Sequence, residues 1–253
     1  LEAYGITATN YNRDVEIFPV LKTIFQSIYG ESPYKSPTDM GVNMAGFCIT
    51  DDKNVSEAAS NEIIRRYFDA RCAFRKGNLS EQVVFKNELV MKTAGLDTSY
   101  RRVMEAALKK EEKTGEPAAS MELPDGSIIT GKTSTLLGAS SALLLNALKA
   151  LAGIQDEVHL ISPAVIEPIQ EMKVMRLGGH NPRLHTDEIL IALAISGTMN
   201  PTAALAIEQL KKLKGCEAHS TVILSPVDES TMKKLGINLT CEPKYQTKKL
   251  YHG

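Results

Sequence analysis

From Arg176 to Asp187 the chain reads Arg-Leu-Gly-Gly-His-Asn-Pro-Arg-Leu-His-Thr-Asp, two arginines, two of its five histidines and a Gly-Gly pair directly before an apolar run. Guanidinium groups bind oxyanions through paired hydrogen bonds, and a helix start adds unsatisfied N–H groups and a partial positive charge. The chemistry these residues suggest is therefore the binding of a phosphate or carboxylate. Arg176, His180, Asn181, Arg183, His185 and Thr186 supply the donors, and Gly178 and Gly179 let the backbone approach closely. His219, in Glu217-Ala-His-Ser-Thr221, is the further histidine placed with them.

Three other chemistries can be written from the sequence, and each is disfavoured. Gly126-Ser-Ile-Ile-Thr-Gly-Lys-Thr133 matches the phosphate-loop pattern. However, Pro124-Asp125-Gly126 makes a turn and Ile128-Ile129 favour an extended strand, so the expectation is a hairpin that does not cradle phosphate. A metal site could be drawn from His180, His185 and His219 with Cys216 or Asp187. Pro182 interrupts any helix that would carry both loop histidines on one face, so no metal is assigned. Adjacent residues on a strand point to opposite faces, so His219 cannot activate Ser220 as a nucleophile. Asp39 and Asn43 read as turn formers.

The elements that must position the loop follow from periodicity. Residues 1–33 are read as the tail of an upstream domain, with Leu21, Ile24, Phe25 and Ile28 at helical spacing, and 47–49 as a short apolar run. Residues 34–115 are read as a small helical subdomain with helices over 56–76, 80–95 and 97–115; Ile63, Tyr67, Ala70 and Phe74 share a face of the first. Residues 116–253 are read as an α/β domain. It opens with a hairpin and a Leu- and Ala-rich helix over 134–152, then alternates strand-like runs at 157–161, 218–224 and 237–241 with helices. The fold class expected from this alternation is α/β, a layered α/β domain with a mixed sheet behind a small helical subdomain.

Composition sets the outer bounds. A net charge of −1 supplies no basic excess for nucleic acid, and no run of apolar residues is long enough for a membrane helix. Four cysteines without a C-x-x-C pair point to a reducing cytoplasm. The opening Leu-Glu-Ala-Tyr, with no initiator Met, reads as a fragment of a longer protein.

Four sets of phrases stand in order along the chain: Asn10-Tyr-Asn-Arg-Asp14 with Ile17-Phe-Pro-Val20, Ser36-Pro-Thr-Asp-Met-Gly-Val-Asn-Met44, Asn181-Pro-Arg-Leu-His185 with Glu188-Ile-Leu-Ile-Ala-Leu193, and Glu217-Ala-His-Ser-Thr221 with Leu235-Gly-Ile-Asn238. In this the chain resembles the C-terminal part of the DUF 1846 family of bacterial proteins, whose function is not established. The resemblance implies a missing N-terminal half with a nucleotide-binding α/β domain, and a three-layer α/β sandwich at the C-terminus, similar in topology to one found in cytidine deaminases. The deaminase signature H-x-E with P-C-x-x-C is absent, so that chemistry does not carry over.

The functional expectation is part of a cytoplasmic enzyme that binds a phosphorylated or nucleotide-like small molecule through the loop, with cofactor and reaction unassigned. The rival is a non-catalytic module for oligomerisation or regulation, in which the apolar helix over 134–152 makes a homo-oligomer contact.

Overall fold

A computed structural model describes residues 11–34 and 52–246. Asp39, Asn43, Cys48 and the apolar run at 47–49 lie outside the described residues. The chain divides into two compact units, Leu1–Arg101 and Arg102–Gly253.

In the first unit, helices α1 (Tyr11–Tyr29), α2 (Asp52–Arg75) and α3 (Glu81–Thr93) pack on one another. Pro19 lies inside α1. On α2 the buried residues are Ala59, Ile63, Ile64, Phe68 and Ala70, whereas Phe74 is exposed. The apolar stripe is thus rotated from the one expected, because Ile64 and Phe68, four apart, turn the same face inward. The third helix foreseen over 97–115 is broken. Thr98–Tyr100 forms a single 3-10 turn, and α4 (Arg102–Thr114) belongs to the second unit, where it packs on the sheet.

The second unit is α/β with a mixed four-stranded sheet in the order β2-β1-β3-β4, from β1 (Ala118–Glu122), β2 (Ile128–Lys132), β3 (Glu217–Ser220) and β4 (Asn238–Cys241). β1 and β2 form the expected hairpin, in which Ala119 faces Gly131 and Ser120 faces Thr130. β1 pairs antiparallel with β3, and β3 parallel with β4. Hence β2, β3 and β4 run the same way and β1 runs against them.

Alternation along the strands assigns the two faces. Ser120, His219 and Thr240 lie in register on the face covered by α4, and the Ser120 hydroxyl donates to the Val103 carbonyl there. Glu111 of α4 accepts from Thr221 Oγ1 at 2.9 Å and from Lys244 Nζ at 2.6 Å. Ala119, Met121, Gly131 and Ala218 lie on the opposite face, under α5 (Ala139–Ala152). Leu143, Leu144, Ala147 and Leu148 of α5 are fully buried in the main core, so this helix spends its apolar face within the unit.

Helices α6 (Pro163–Glu171), α7 (Thr186–Gly197), α8 (Pro201–Glu208) and α9 (Pro226–Lys234) complete the unit, with α7 and α8 packed on α5. Two expectations fail in detail. The run 157–161 forms no strand: Val158 N–H bonds back to Gln155 O in a turn, and Leu160 and Ile161 are buried by core packing without a ladder. Ala218–Leu224 is a strand only to Ser220, after which the chain turns away.

Gly131 explains how closely α5 lies on the sheet. A Cβ at this position would sit 2.2 Å from the Leu143 nitrogen and 2.8 Å from the Ala139 carbonyl oxygen, both backbone atoms that cannot swing aside. Gly131→Ala should therefore destabilise the unit by about 1–3 kcal/mol through overpacking. A thermal midpoint unchanged from the parent protein would contradict this packing.

Candidate functional site

The carboxyl ends of β2 and β3 lead directly into α5 and α9, and the loop before α7 arrives at the same end of the sheet. A cavity of about 400 Å³ lies there, lined among others by Gly138, Ala139, Ser140, Arg183, His185 and Asp228. In open α/β sheets ligands bind outside the carboxyl ends of strands, where helix starts collect.

Three helix starts meet at this cavity, and two are capped from within the protein. Ser225, before α9, accepts the Asp228 N–H at 3.2 Å. At α7, Asp228 Oδ1 accepts the Thr186 N–H at 2.9 Å, and Glu188 accepts the His185 N–H at 2.7 Å. The start of α5 differs. Its N-cap is Gly138, which has no side chain to offer, and no acceptor among the described residues takes the N–H groups of Ala139, Ser140 and Ser141. Beside them the Ser140 side chain, 2% exposed, lines the cavity and makes no hydrogen bond among the described residues.

Asp228 ties the other two starts together. Its carboxylate, 6% exposed, accepts from Thr186 N, from Ser225 Oγ at 2.8 Å and from His185 Nδ1 at 3.0 Å. Burial raises the Asp228 pKa, but the bonds from His185, Thr186 and Ser225 outweigh it and hold the group below its ordinary value. Asp228 in turn holds the His185 pKa above its ordinary value, against partial burial and the charge of Lys173. Ser225, His185 and Asp228 do not form a nucleophile triad: serine and aspartate both meet the same nitrogen, Nδ1, and the serine hydroxyl donates to the carboxylate. His185 Nε2 has no partner among the described residues.

The loop residues named from sequence divide into two groups. Asn181, Arg183 and His185 line the cavity. Asn181 Oδ1 accepts the Arg183 N–H at 3.1 Å, and Arg183 Nε donates to Ser134 O at 2.8 Å, which leaves its two Nη groups without partners among the described residues. Lys173 pins the loop from behind through Arg183 O and Glu188 Oε2, both at 2.8 Å. Thr186 is outside the cavity lining; it is fully buried, with its N–H on Asp228.

The remaining residues serve other ends. Arg176 and His180 are exposed and outside the cavity lining. Gly178, at φ +71°, turns the chain after the π-helical turn Met172–Arg176, and Gly179 bonds to Lys173 O where a Cβ would meet that oxygen at 2.9 Å. The glycine pair thus builds a chain reversal rather than a cradle. His219 is fully buried on the α4 face of the sheet, where Nδ1 meets Thr240 Oγ1 at 2.8 Å, and so lies behind the strands. Among the described residues no group of three metal-ligating side chains comes together. Lys132 is exposed at the end of β2, so the phosphate-loop match is a hairpin. No described helix is long and apolar enough to cross a membrane.

The sequence reading missed Gly138, Ala139, Ser140, Ser225 and Asp228. Ser225-Pro-Val-Asp228 carries the spacing of a capping box, a visible local signal, but the reach of Asp228 to a second helix is not local.

Comparison with known proteins matches the domain of unknown function DUF1846, C-terminal, to residues 99–251, and the domain of unknown function DUF1846, N-terminal, to residues 1–95. The chain belongs to this family. It carries matches to both domain models, which corrects the reading of it as the C-terminal part alone. A UPF0371 protein of Corynebacterium urealyticum is 55% identical over 99% of this chain and 50% of its own length. A UPF0371 protein of Streptococcus pneumoniae is 54% identical over 99% of this chain and 51% of its own. The chain spans about half the length of the curated relatives it matches.

The His185–Asp228 pair makes stability depend on pH in a defined sense. Asp228, lowered from its ordinary 3.8, stabilises fully above that value and less as pH falls through its folded pKa. His185, raised from 6.5, stabilises fully below that value and less as pH rises through its folded pKa. The pair is thus at full strength between these two ordinary values. His185→Gln should lower the thermal midpoint more at about pH 5.5 than at about pH 8.5; equal drops at both would show that the pair is not ionic.

Proposed function

We propose that this member of the DUF1846 family binds a small phosphorylated or nucleotide-like molecule, with the anionic end of the ligand at the start of α5. The observation that carries the reading is the uncapped first turn behind Gly138, where one cavity is lined by buried Ser140 and by Arg183, whose Nη groups have no partner among the described residues. Ser, Thr, Asp, Asn and Gly are the preferred residues at a helix start, and of these only glycine brings no side-chain acceptor. Glycine at that point forgoes the local cap and leaves the N–H groups to an external anion. The size of the cavity suits a small organic molecule rather than an inorganic ion alone. We assign it to a cytoplasmic enzyme, in keeping with cysteines that form no C-x-x-C pair.

The second reading, a module for oligomerisation or regulation, draws on a different surface from the one first expected. Ile191 and Ile195, one turn apart on α7, are 61% and 57% exposed, and Met199 just beyond is 93% exposed. An apolar stripe of this kind suits a protein contact.

Substitution at Gly138 separates the two readings. Its φ of −69° is open to any residue and a Cβ meets nothing closer than 4.0 Å. Gly138→Asp should cap α5 and raise stability by roughly 0.5 kcal/mol, while its carboxylate occupies the anion position and abolishes phosphate binding measured by calorimetry. Arg183→Ala should weaken phosphate at least about tenfold. Arg176→Ala and Lys132→Ala should change nothing. Unaltered phosphate affinity in both Gly138→Asp and Arg183→Ala would remove the site and leave the module reading.

A further inference from the structure

The donors around the cavity outnumber what a carboxylate can accept. Ala139, Ser140, Arg183 and His185 line the cavity, and the N–H groups of Ala139 and Ser140, the Ser140 hydroxyl, the two Nη groups of Arg183 and Nε2 of His185 have no partner among the described residues. A carboxylate has two oxygens, whereas a phosphate monoester has three terminal oxygens and a bridging one. Apolar residues complete the lining: Val222, Ile223 and Leu224, each at most 6% exposed, follow β3 into the same cavity. An ester group fits there, and a bare ion would leave most of the roughly 400 Å³ unused.

His185 is built to hold one orientation. Asp228 carries two other donors, Ser225 Oγ and Thr186 N, so it acts as an acceptor and fixes the proton of His185 on Nδ1. The remaining nitrogen, Nε2, then either donates as part of an imidazolium or carries a lone pair. Four charged groups bear on the ring. Asp228 from α9 and Glu188 from α7 favour the imidazolium, Lys173 from the π-helical turn opposes it, and Arg183 shares the cavity wall. Lys173 and Glu188 largely offset each other, being paired at 2.8 Å.

Resting on the anion reading above, we infer that the ligand is a phosphate monoester bound as its dianion, with imidazolium His185 as a proton-linked donor that Asp228 positions. Binding then couples to a proton on the protein. A ligand whose charge is constant loses affinity as His185 deprotonates, and one that itself ionises shows an optimum between its own second ionisation and that of His185.

The test uses the whole chain, with sulfate, inorganic phosphate, phenyl phosphate and benzoate titrated by calorimetry across neutral pH, and His185 followed by its ring proton resonance. Sulfate affinity should fall at least about tenfold as pH rises through the His185 titration, because a charged donor is lost. His185→Gln should flatten that fall, and Asp228→Asn should move it to lower pH. Phenyl phosphate should bind at least about tenfold more tightly than either inorganic phosphate or benzoate. If Asp228→Asn does not fold, the ring resonance of the parent protein, shifted by bound sulfate, still reports the coupling.

The outcomes distinguish the levels of the argument. An identical pH profile in His185→Gln, with sulfate still bound, overturns the proton linkage and leaves the anion site standing. Benzoate equal to phenyl phosphate overturns the phosphate class, and inorganic phosphate equal to phenyl phosphate overturns the monoester. No binding of sulfate or phosphate at any pH overturns the anion site itself.

Discussion

The geometry of the candidate site depends on one buried carboxylate. Asp228 stands in the first turn of α9, yet its oxygens are taken by Thr186 N–H at the start of α7, by the ring of His185 and by the Ser225 hydroxyl. A buried charge is tolerated only when hydrogen-bonded, and one left unpartnered costs several kcal/mol. Three donors from two chain segments meet that requirement at Asp228. The consequence is mechanical as well as energetic: α7 and α9 cannot separate without exposing the carboxylate or orphaning its donors. The mouth of the cavity is therefore set by a bond between helix starts, not by loop packing.

The other wall is set by the absence of atoms. Gly131 lets the backbone of α5 touch the sheet, and Gly138 ends the preceding turn without a side chain that could reach back to the first N–H groups. The two positions act in series along one short stretch of chain. The first fixes where the helix lies, and the second fixes what its start presents. The same helix carries Leu143, Leu144 and Leu148 into the core, so its position is held by burial that a ligand does not need to supply. A binding group mounted on such an element is already in place before binding, which lowers the ordering cost.

The sequence was readable where a residue type has one dominant local consequence. Pro124-Asp125-Gly126 between apolar runs gave the hairpin, and the argument that Ile128-Ile129 prefer a strand disposed of the phosphate-loop match. Density of donors marked a loop of which Asn181, Arg183 and His185 line the cavity. It could not separate these from Arg176 and His180, because which face of an irregular loop turns inward is decided by Lys173 from a preceding turn. His219 resisted for a related reason: a histidine on a strand may face either layer, and here the register with Ser120 sends it under α4. The half of the site contributed by α5 was hidden because its signal is a missing cap, and a glycine before a helix looks like any other glycine. The run at 157–161 shows the limit of apolar runs as a strand signal, since burial alone does not provide a neighbouring ladder.

An acidic residue in the wall of the proposed anion site looks contradictory until its partners are counted. The Asp228 carboxylate is shared among three donors from the protein, and one of them is the ring that it holds toward the imidazolium form. With His185 protonated, the Asp228–His185 pair is neutral and Arg183 leaves the wall with a net positive charge. With His185 neutral, Asp228 cancels Arg183, and the helix start of α5 is left with only its partial charge to attract an anion. The carboxylate thus has two effects that cannot be separated by position. It aligns the histidine, and it makes the charge of the whole wall hinge on a single proton.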